Sequence, residues 1–272
     1  MQQRDSLGYT LLVAAVLCVV CSLAVSTAAV SLRGQQEENV KLDQKKNILD
    51  AAGLAIGEFG KVASDLEKSQ IDELSEWVSE KFVVMETGEY TEDIDAENYD
   101  MIEAMDGKET GVDIVDPQFN MGEKRRPKVM KVFFVQRPGT DQVQQVVLPI
   151  YGKGLWGTLY GYLAVKSDVQ TIQGITFYQH KETPGLGGEV DNPRWKAQWE
   201  GRKLFDQDGT PAALVFKGPA PTENPYAVDG LSGATITSRG VTNLLRYWAS
   251  DDGFGPFLKN WKSELAADSS AN

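Results

Sequence analysis

The sequence predicts an α+β protein, in which one N-terminal transmembrane helix is followed by a soluble domain with an antiparallel sheet flanked by helices. The first observation is an uncharged, apolar run over residues 11–32. The second is a series of β-branched and aromatic runs separated by turn residues after residue 128, and the third is a pair of helix-periodic segments near the end. With 272 residues, 42% of them hydrophobic, the chain can bury a sizeable core.

The N-terminal apolar run is long enough to cross a bilayer. No charged side chain occurs between Asp5 and Arg33, and as a helix this interval extends over about 40 Å, against a hydrocarbon thickness of about 30 Å. We therefore predict a short tail at 1–10 and an uncleaved anchor at 11–32. A cleaved signal peptide is the alternative, because small residues near the end of the run could form a cleavage site. Basic residues flank the run on both sides, so charge alone does not orient it.

Composition excludes several classes of partner and cofactor. The formal net charge of -12 makes nucleic acid a poor partner for the soluble part. The two cysteines, Cys18 and Cys21, both lie in the apolar run, where we interpret them as small apolar residues, and His180 is the single histidine. Zinc sites built on Cys and His, haem attachment and cysteine-bound iron–sulfur clusters are therefore excluded from the soluble part. Redox chemistry there requires an organic cofactor.

Residues 33–128 are predicted to form a helical stalk and an acidic insertion. Apolar residues recur at helical spacing from 37 to about 68, and residues 71–85 have mixed helical and strand character. Residues 86–127 are acidic and irregular, which indicates an insertion or a mobile lobe.

Residues 129–265 are predicted to form the main soluble domain, and 266–272 a flexible C-terminal tail. β-Branched and aromatic residues predict strands, and helical spacing predicts helices, one of which carries Trp195 and Trp199. The predicted strands cover 129–135, 143–150, 158–165 and 171–178, and the predicted helices cover 192–205, 237–248 and 257–265. Neither a phosphate-binding G-x-x-x-x-G-K-[ST] loop nor a dinucleotide-binding G-x-G-x-x-G fingerprint occurs, so no nicotinamide site is visible.

The segment D-G-L-S-G-A-T-I-T-S over residues 229–238 is the most informative in the chain. Its small residues, Ser232, Gly233 and Ala234 among them, make an accessible turn directly before a helix. Free N–H groups at a helix N-terminus favour a phosphate, which would lie at Thr235. Taken alone, the segment also fits an ordinary turn in which Thr237 or Ser238 caps the helix.

Two further loops accompany this turn. The segment E-T-P-G-L-G-G-E over 182–189 carries glycines around Leu186, which would let the backbone at Gly187 approach a planar ring while Thr183 or backbone N–H groups bond to its edge. The segment G-K-G-L-W-G over 152–157 offers an apolar wall through Leu155 and Trp156. The alternatives are an ordinary turn for the first loop and a core position for Trp156.

The sequence D-G-L-S-G-A-T resembles the acceptor motif of the FMN-binding domain family. In that family a flavin transferase joins the phosphate of FMN to the hydroxyl of the final threonine, here Thr235. All three segments, in this order behind an anchor and a stalk, resemble the C subunits of the sodium-translocating NADH:quinone reductases over nearly the whole chain. The resemblance is weakest over 86–127.

The resemblance implies a cofactor, partners and a location. FMN would be held covalently on Thr235, with its flavin contacts drawn from Ser232, Gly233, Ala234, Thr237, Thr183, Leu186, Gly187, Leu155 and Trp156. The chain would be one subunit of an ion-translocating oxidoreductase, a hetero-oligomer of about six subunits, relaying electrons between its membrane and flavin subunits without a substrate site of its own. The large domain would be periplasmic, on a single-pass anchor in the bacterial inner membrane.

Two alternative functions remain open from the sequence. The first is the related G subunit of the Rnf electron-transport complex, which tends to be shorter before residue 129. The second is a non-redox, membrane-anchored periplasmic binding module. His180 and Glu182 are also candidates for proton donors to flavin, although a polar pair at a strand end is the simpler interpretation. The charges of Glu182, Glu189 and Asp229 would disfavour reduced flavin and those of Lys153 and Lys181 would oppose them, with a balance that depends on geometry.

Overall fold

The computed structural model describes residues 7–271, apart from residues 97 and 141. Contacts divide the chain into two compact units, Met1–Gln44 and Lys45–Asn272. The first described element is helix α1, Leu7–Ala51, which runs from the apolar segment into the second unit. Residues 1–6 of the tail expected at 1–10, and residue 272 of the tail expected at 266–272, lie outside the described residues.

Helix α1 contains the candidate membrane span. Over the part of the chain that the structure describes, it is the helix that is both long and apolar enough to cross a bilayer, with a mean hydropathy of 2.6 over its most apolar window. No residue of this apolar stretch is buried within the protein, whereas the core helix of a soluble domain would be mostly buried. The expected stalk helix ends earlier than predicted, at Ala51, where Ala52 and Gly53 turn the chain.

The second unit is built on a six-stranded antiparallel sheet, whose strands are β1 Val78–Val84, β2 Tyr90–Thr91, β5 Val129–Val135, β6 Gln145–Lys153, β7 Thr158–Lys166 and β8 Ile172–Gln179. Their order across the sheet is β2-β1-β5-β6-β7-β8. Two small pairs, antiparallel β3 Gly111–Asp113 with β4 Arg125–Pro127 and parallel β9 Leu214–Val215 with β10 Ala227–Val228, complete the strands. The α+β prediction and the four central strands are therefore confirmed.

Helices cover both faces of the sheet. On one face lie α6, Thr235–Ala249, and α7, Gly255–Ala271, whose aromatic side chains share the main core with β5 to β8. The contact is close: a Cβ on Gly152 of β6 would lie 2.7 Å from Cβ of Leu244 in α6. On the other face lie the end of α1 and helices α2, Leu54–Phe59, and α3, Lys68–Ser75. The buried Gln145 of β6 donates its amide Nε2–H to the carbonyl of Ala52 there, at 2.9 Å.

The region expected as an acidic insertion is ordered around short elements. It holds β2, helix α4 Met101–Asp106, β3 and β4, and β3 pairs with β4. Strand β1, also from the region expected before residue 129, pairs along its whole length with β5. The sheet therefore contains strands from both sides of the boundary predicted between residues 128 and 129.

The helix predicted over 192–205 is shorter and broken. The structure has helix α5, Pro193–Lys196, followed by a single 3₁₀ turn, Ala197–Trp199. Gly201, with φ +80°, adopts a left-handed conformation that a continuing helix does not permit. Trp195 and Trp199 are both buried, and the predicted length of this helix was wrong.

Candidate functional site

The turn before α6 is fixed by bonds to neighbouring segments. The backbone N–H of Asp229 donates to Oε1 of Gln198 at 2.9 Å, and the indole N–H of Trp195 donates to the carbonyl of Asp229 at 2.8 Å. Gly230 approaches the carbonyl of Phe216 so closely that a Cβ would lie 2.4 Å from it. These contacts anchor the first half of the D-G-L-S-G-A-T segment.

The second half of the turn meets the glycine-rich loop. Gly233 has φ +70°, a left-handed conformation in which L side chains are strained, and a Cβ there would lie 2.8 Å from Cδ2 of Leu186. Gly185, the residue before Leu186, also has a left-handed backbone conformation, with φ +75°. The structure thus brings together the two glycine-bearing segments that the sequence singled out.

Helix α6 begins at Thr235 without a side-chain cap. The residue before it, Ala234, makes no capping bond, so neither Thr237 nor Ser238 acts as the N-cap considered from sequence. The first N–H groups of a helix have no acceptor within the helix and form a favourable environment for an anion. Thr235 is exposed at this position, so its hydroxyl is accessible.

Ser238 and Thr237 have other partners. The hydroxyl Oγ of Ser238 accepts the N–H of Leu231 at 3.1 Å, which closes the turn onto the helix. Thr237 is fully buried and its hydroxyl donates to Oε2 of Glu182 in a short hydrogen bond. Both hydroxyls therefore hold the segment in place from its inner side.

Glu182 joins all three segments. Its side chain is buried, with 5% of the residue exposed, and its Oε1 accepts the N–H groups of Leu155 at 3.0 Å and Trp156 at 2.9 Å, while Oε2 accepts the hydroxyl of Thr237. A Cβ on Gly154 or on Gly187 would lie 2.6 Å from one of its oxygens, so glycine at both positions lets the backbone close around the carboxylate. One side chain thus connects segment 152–157, segment 182–189 and the first turn of α6.

Large apolar side chains are exposed around this connection. Leu155 is 47% exposed, Trp156 65% and Leu186 43%, while Ile236 beside Thr235 is 53% exposed. The core position considered for Trp156 is therefore wrong. Exposed apolar groups on loops that are anchored by buried hydrogen bonds form a surface on which a planar, partly apolar ring system could pack.

The ten residues predicted for the site lie in two layers. Seven are exposed: Ser232, Gly233, Thr235, Thr183, Leu186, Leu155 and Trp156. Three are buried: Ala234, Thr237 and Gly187. The structure brings all ten into the same three connected segments, with an accessible hydroxyl at a helix N-terminus and apolar side chains beside it. The residues present thus fit FMN, which has a phosphate at one end and a planar ring at the other.

Both ring nitrogens of His180 form hydrogen bonds within the protein. A backbone N–H can only donate, so Nδ1 of His180 must accept the N–H of Glu182, at 3.1 Å. The ring proton then lies on Nε2, which donates to Oδ2 of Asp191 at 2.7 Å. The side-chain partner of His180 is therefore Asp191, and not Glu182 as in the polar pair considered from the sequence.

Sequence reasoning missed the role of Glu182 and of Trp195 at this site. Glu182 was noted only as a charge or a proton donor, and Trp195 only as part of a helix. In the sequence, the feature that could have indicated this role is the position of Glu182 at the start of the glycine-rich loop. Glycines let backbone N–H groups approach a buried carboxylate and donate hydrogen bonds to it.

The fold and the site define an FMN-binding domain. The family described by that name matches residues 154–250, which include all ten predicted site residues.

Similarity to one kind of subunit extends over nearly the whole chain. The C subunit of the Na⁺-translocating NADH-quinone reductase of Yersinia pestis is 41% identical over 258 residues, covering 95% of this chain and 94% of that protein. The same subunit of Pseudomonas aeruginosa is 42% identical, covering 96% of this chain and 98% of that protein. A crystal structure of NqrC from Shewanella oneidensis superposes with a TM-score of 0.73 at 32% identity, covering 83% of this chain and 99% of that one. The chain belongs to the NqrC family, the C subunits of the Na⁺-translocating NADH-quinone reductase, an ion-translocating oxidoreductase complex.

Proposed function

We propose that this chain carries FMN in covalent phosphoester linkage to Thr235 and relays electrons between partner subunits toward quinone. The observation that carries the proposal is the exposed hydroxyl of Thr235 at the uncapped start of α6, next to an apolar surface on two anchored loops. Membership of the NqrC family and the match to the FMN-binding domain support the choice of cofactor.

Formation of the linkage requires an accessible nucleophile and a stabilised phosphate. A base of the flavin transferase would take the proton from the hydroxyl of Thr235 as the bond from Oγ1 to phosphorus forms. The bond from that phosphorus to the second phosphate of an activated flavin dinucleotide would break, and the nucleoside monophosphate would leave. The N–H groups of the first turn of α6 then donate to the phosphate oxygens.

The chain's residues hold and shield the cofactor, and the flavin, when bound, supplies the electron transfer itself. Leu155, Trp156 and Leu186 would pack against the ring system and exclude water from it, while Thr183 and backbone N–H groups would bond to its edges. Ser232 and Gly233 leave room for the phosphate end. A tether maintains a high local concentration at a site this open, where a free cofactor would dissociate.

The chain acts within a complex. Electrons come from a redox centre in one partner subunit and pass to another flavin of the assembly, a hetero-oligomer of about six subunits by analogy with the family. We propose that α1 anchors the chain as a single-pass helix in the inner membrane with the large domain in the periplasm. The span carries no acidic residue between Asp5 and Arg33, so the ion path belongs to other subunits.

Peptide mass spectrometry of the native protein tests the linkage. We expect the peptide that contains Thr235 to carry the mass of FMN less one water. Thr235→Ala should remove the adduct and the flavin absorbance without loss of folded protein, because the side chain is exposed. Thr210→Ala is the matched control, since Thr210 is also exposed and its side chain makes no bond that holds the turn.

The outcome also separates the alternatives. An unmodified Thr235 peptide, in protein produced together with its flavin transferase, would refute covalent FMN and favour a non-redox binding module. The relatives compared above are C subunits of the Na⁺-translocating enzyme, which favours the sodium pump over the G subunit of the Rnf complex. Co-purification with a quinone-reducing assembly, rather than a ferredoxin-oxidising one, is the expected result.

A further inference from the structure

Glu182 is a buried acid that the proposed function does not yet use. Its three hydrogen bonds all have the carboxylate as acceptor: two from the backbone N–H groups of Leu155 and Trp156 and one from the hydroxyl of Thr237. An ionised carboxylate is the form that accepts on both oxygens. Among the residues that the structure describes, no lysine, arginine or histidine forms an ion pair with it.

The other charges near the site have partners or face water. Lys153 is exposed and pairs with Glu123 at 2.9 Å, and Lys181 is also exposed. Glu189 accepts the amide of Asn192 at 2.7 Å and is partly exposed. Exposed charges are screened by water and salt, whereas a buried charge is screened much less. Asp229 is partly exposed and accepts the N–H of Ala220 at 2.7 Å, so Glu182 is the buried acid among the five charged groups weighed from the sequence.

We propose that Glu182 is a positioning residue that holds the three loops of the site together, and that its uncompensated charge lowers the reduction potential of the flavin on Thr235. This inference rests on the proposed function. It makes Glu182 an electrostatic determinant of the cofactor rather than a proton donor to it.

The physical argument has two parts. Leu155 and Trp156 are held by the carboxylate through their N–H groups while their side chains remain exposed. Two of the residues that would receive the ring are therefore hydrogen-bonded to the charged group. An electron that enters the ring makes it more negative, and a fixed negative charge in a poorly polarisable surrounding opposes that change. Reduction is therefore less favourable than it would be beside a neutral residue.

Glu182→Gln separates charge from position. The amide oxygen can still accept both backbone N–H groups, and the amide N–H can donate to Oγ1 of Thr237, whose hydroxyl then turns. We expect full-length protein with this change to retain covalent flavin and its thermal stability. In a potentiometric titration of its flavin absorbance, the ratio of reduced to oxidised flavin at a fixed potential should rise about tenfold, or about 59 mV for a one-electron step.

Two control variants test the same assignment. Glu189→Gln removes a partly exposed charge of the same loop, and we expect a change of less than about threefold, or about 28 mV. Thr237→Val keeps the charge of Glu182 and removes one hydrogen bond, so stability should fall while the potential stays within the same limit. A rise in Thr237→Val equal to that in Glu182→Gln would assign the effect to loop geometry and overturn the electrostatic part.

The native protein provides a further test that does not depend on any variant folding. Because Glu182 is buried, we expect the flavin potential to change little between low and high ionic strength, and a strong salt dependence would assign it to exposed charges. An unchanged potential in Glu182→Gln overturns the inference although the proposed function stands. Absence of flavin from Thr235 in the native protein instead refutes the proposed function, which keeps the two failures distinct.

Discussion

Gly233→Ala tests whether the contact between the two glycine-bearing loops matters for the site. Gly233 has φ +70°, and the added Cβ would lie 2.8 Å from Cδ2 of Leu186. Two effects are combined in this change: strain in the backbone, and displacement of Leu186 from the surface that would receive the proposed flavin ring. Gly201→Ala isolates the first, because Gly201 has φ +80° and a Cβ there would meet no atom within 4 Å.

The structure gives the magnitude of each effect. An L residue forced into the left-handed region costs about 1–2 kcal/mol, which lowers the melting temperature of a unit of this size by about 2–8 °C. Gly201→Ala should show the same loss. Leu186 is 43% exposed, so its side chain can turn outward at little further cost in stability. The two variants should therefore unfold at similar temperatures and differ in how they hold the flavin.

The assay combines thermal unfolding of the full chain in detergent with the flavin absorbance spectrum and the mass of the Thr235 peptide. We expect Gly233→Ala to lower flavin occupancy or shift the absorbance band, and Gly201→Ala to leave both unchanged. Adding Leu186→Ala to Gly233→Ala removes the clash but also the apolar contact, so the unfolding temperature should not fall further. Identical flavin properties in Gly233→Ala and Gly201→Ala would refute a role for this contact.

Two further predictions concern stability. Burial raises the pKa of Asp50 above its ordinary value of 3.8, against the opposing effects of the hydrogen bond from Ala63 and the charge of Lys196. Because the folded-state pKa is raised, the ionised carboxylate destabilises the fold at neutral pH. This penalty is lost as the pH falls through the folded-state pKa. We expect Asp50→Asn to be at least as stable as the native protein in urea at pH 7 and to lose that advantage near pH 4; an advantage that grows on acidification would contradict this. Trp195→Phe removes the bond to the carbonyl of Asp229 and should cost about 1–3 kcal/mol in the same assay, whereas unchanged stability would show that this bond does not fix the turn.

The central strands could be predicted because their local pattern agrees with their position in the fold. Strand β5 has the predicted bounds, 129–135, since its β-branched and aromatic residues are followed by a Pro-Gly turn. Strand β1 was harder to recognise because Ser79, Glu80 and Lys81 are exposed and interrupt its apolar character. It is a strand because β5 pairs with it along its length, and that partner lies about fifty residues away in the chain.

The candidate site could be predicted as three segments but not as one constellation. Each segment has a local signal in its glycines and apolar residues. Their connection depends on the bond between Thr237 and Glu182, which are separated by 55 positions, and no periodicity or spacing indicates such a contact. The exposure of Trp156 accompanies the same connection. Its backbone N–H donates to the buried Glu182, while its side chain is exposed to solvent.

The start of α6 shows how tertiary contacts create a binding end from a helix that could have capped itself. Thr237 and Ser238 are both residue types that cap helices, yet one hydroxyl is bound to Glu182 and the other to the N–H of Leu231. Because neither is available, the helix begins two residues earlier, at Thr235, with its first N–H groups free to meet a phosphate. In the FMN-bearing form that we propose, Glu182 would therefore act on both ends of the cofactor. By holding Thr237 it would leave the first N–H groups of α6 to the phosphate, and by its own charge it would oppose reduction of the ring.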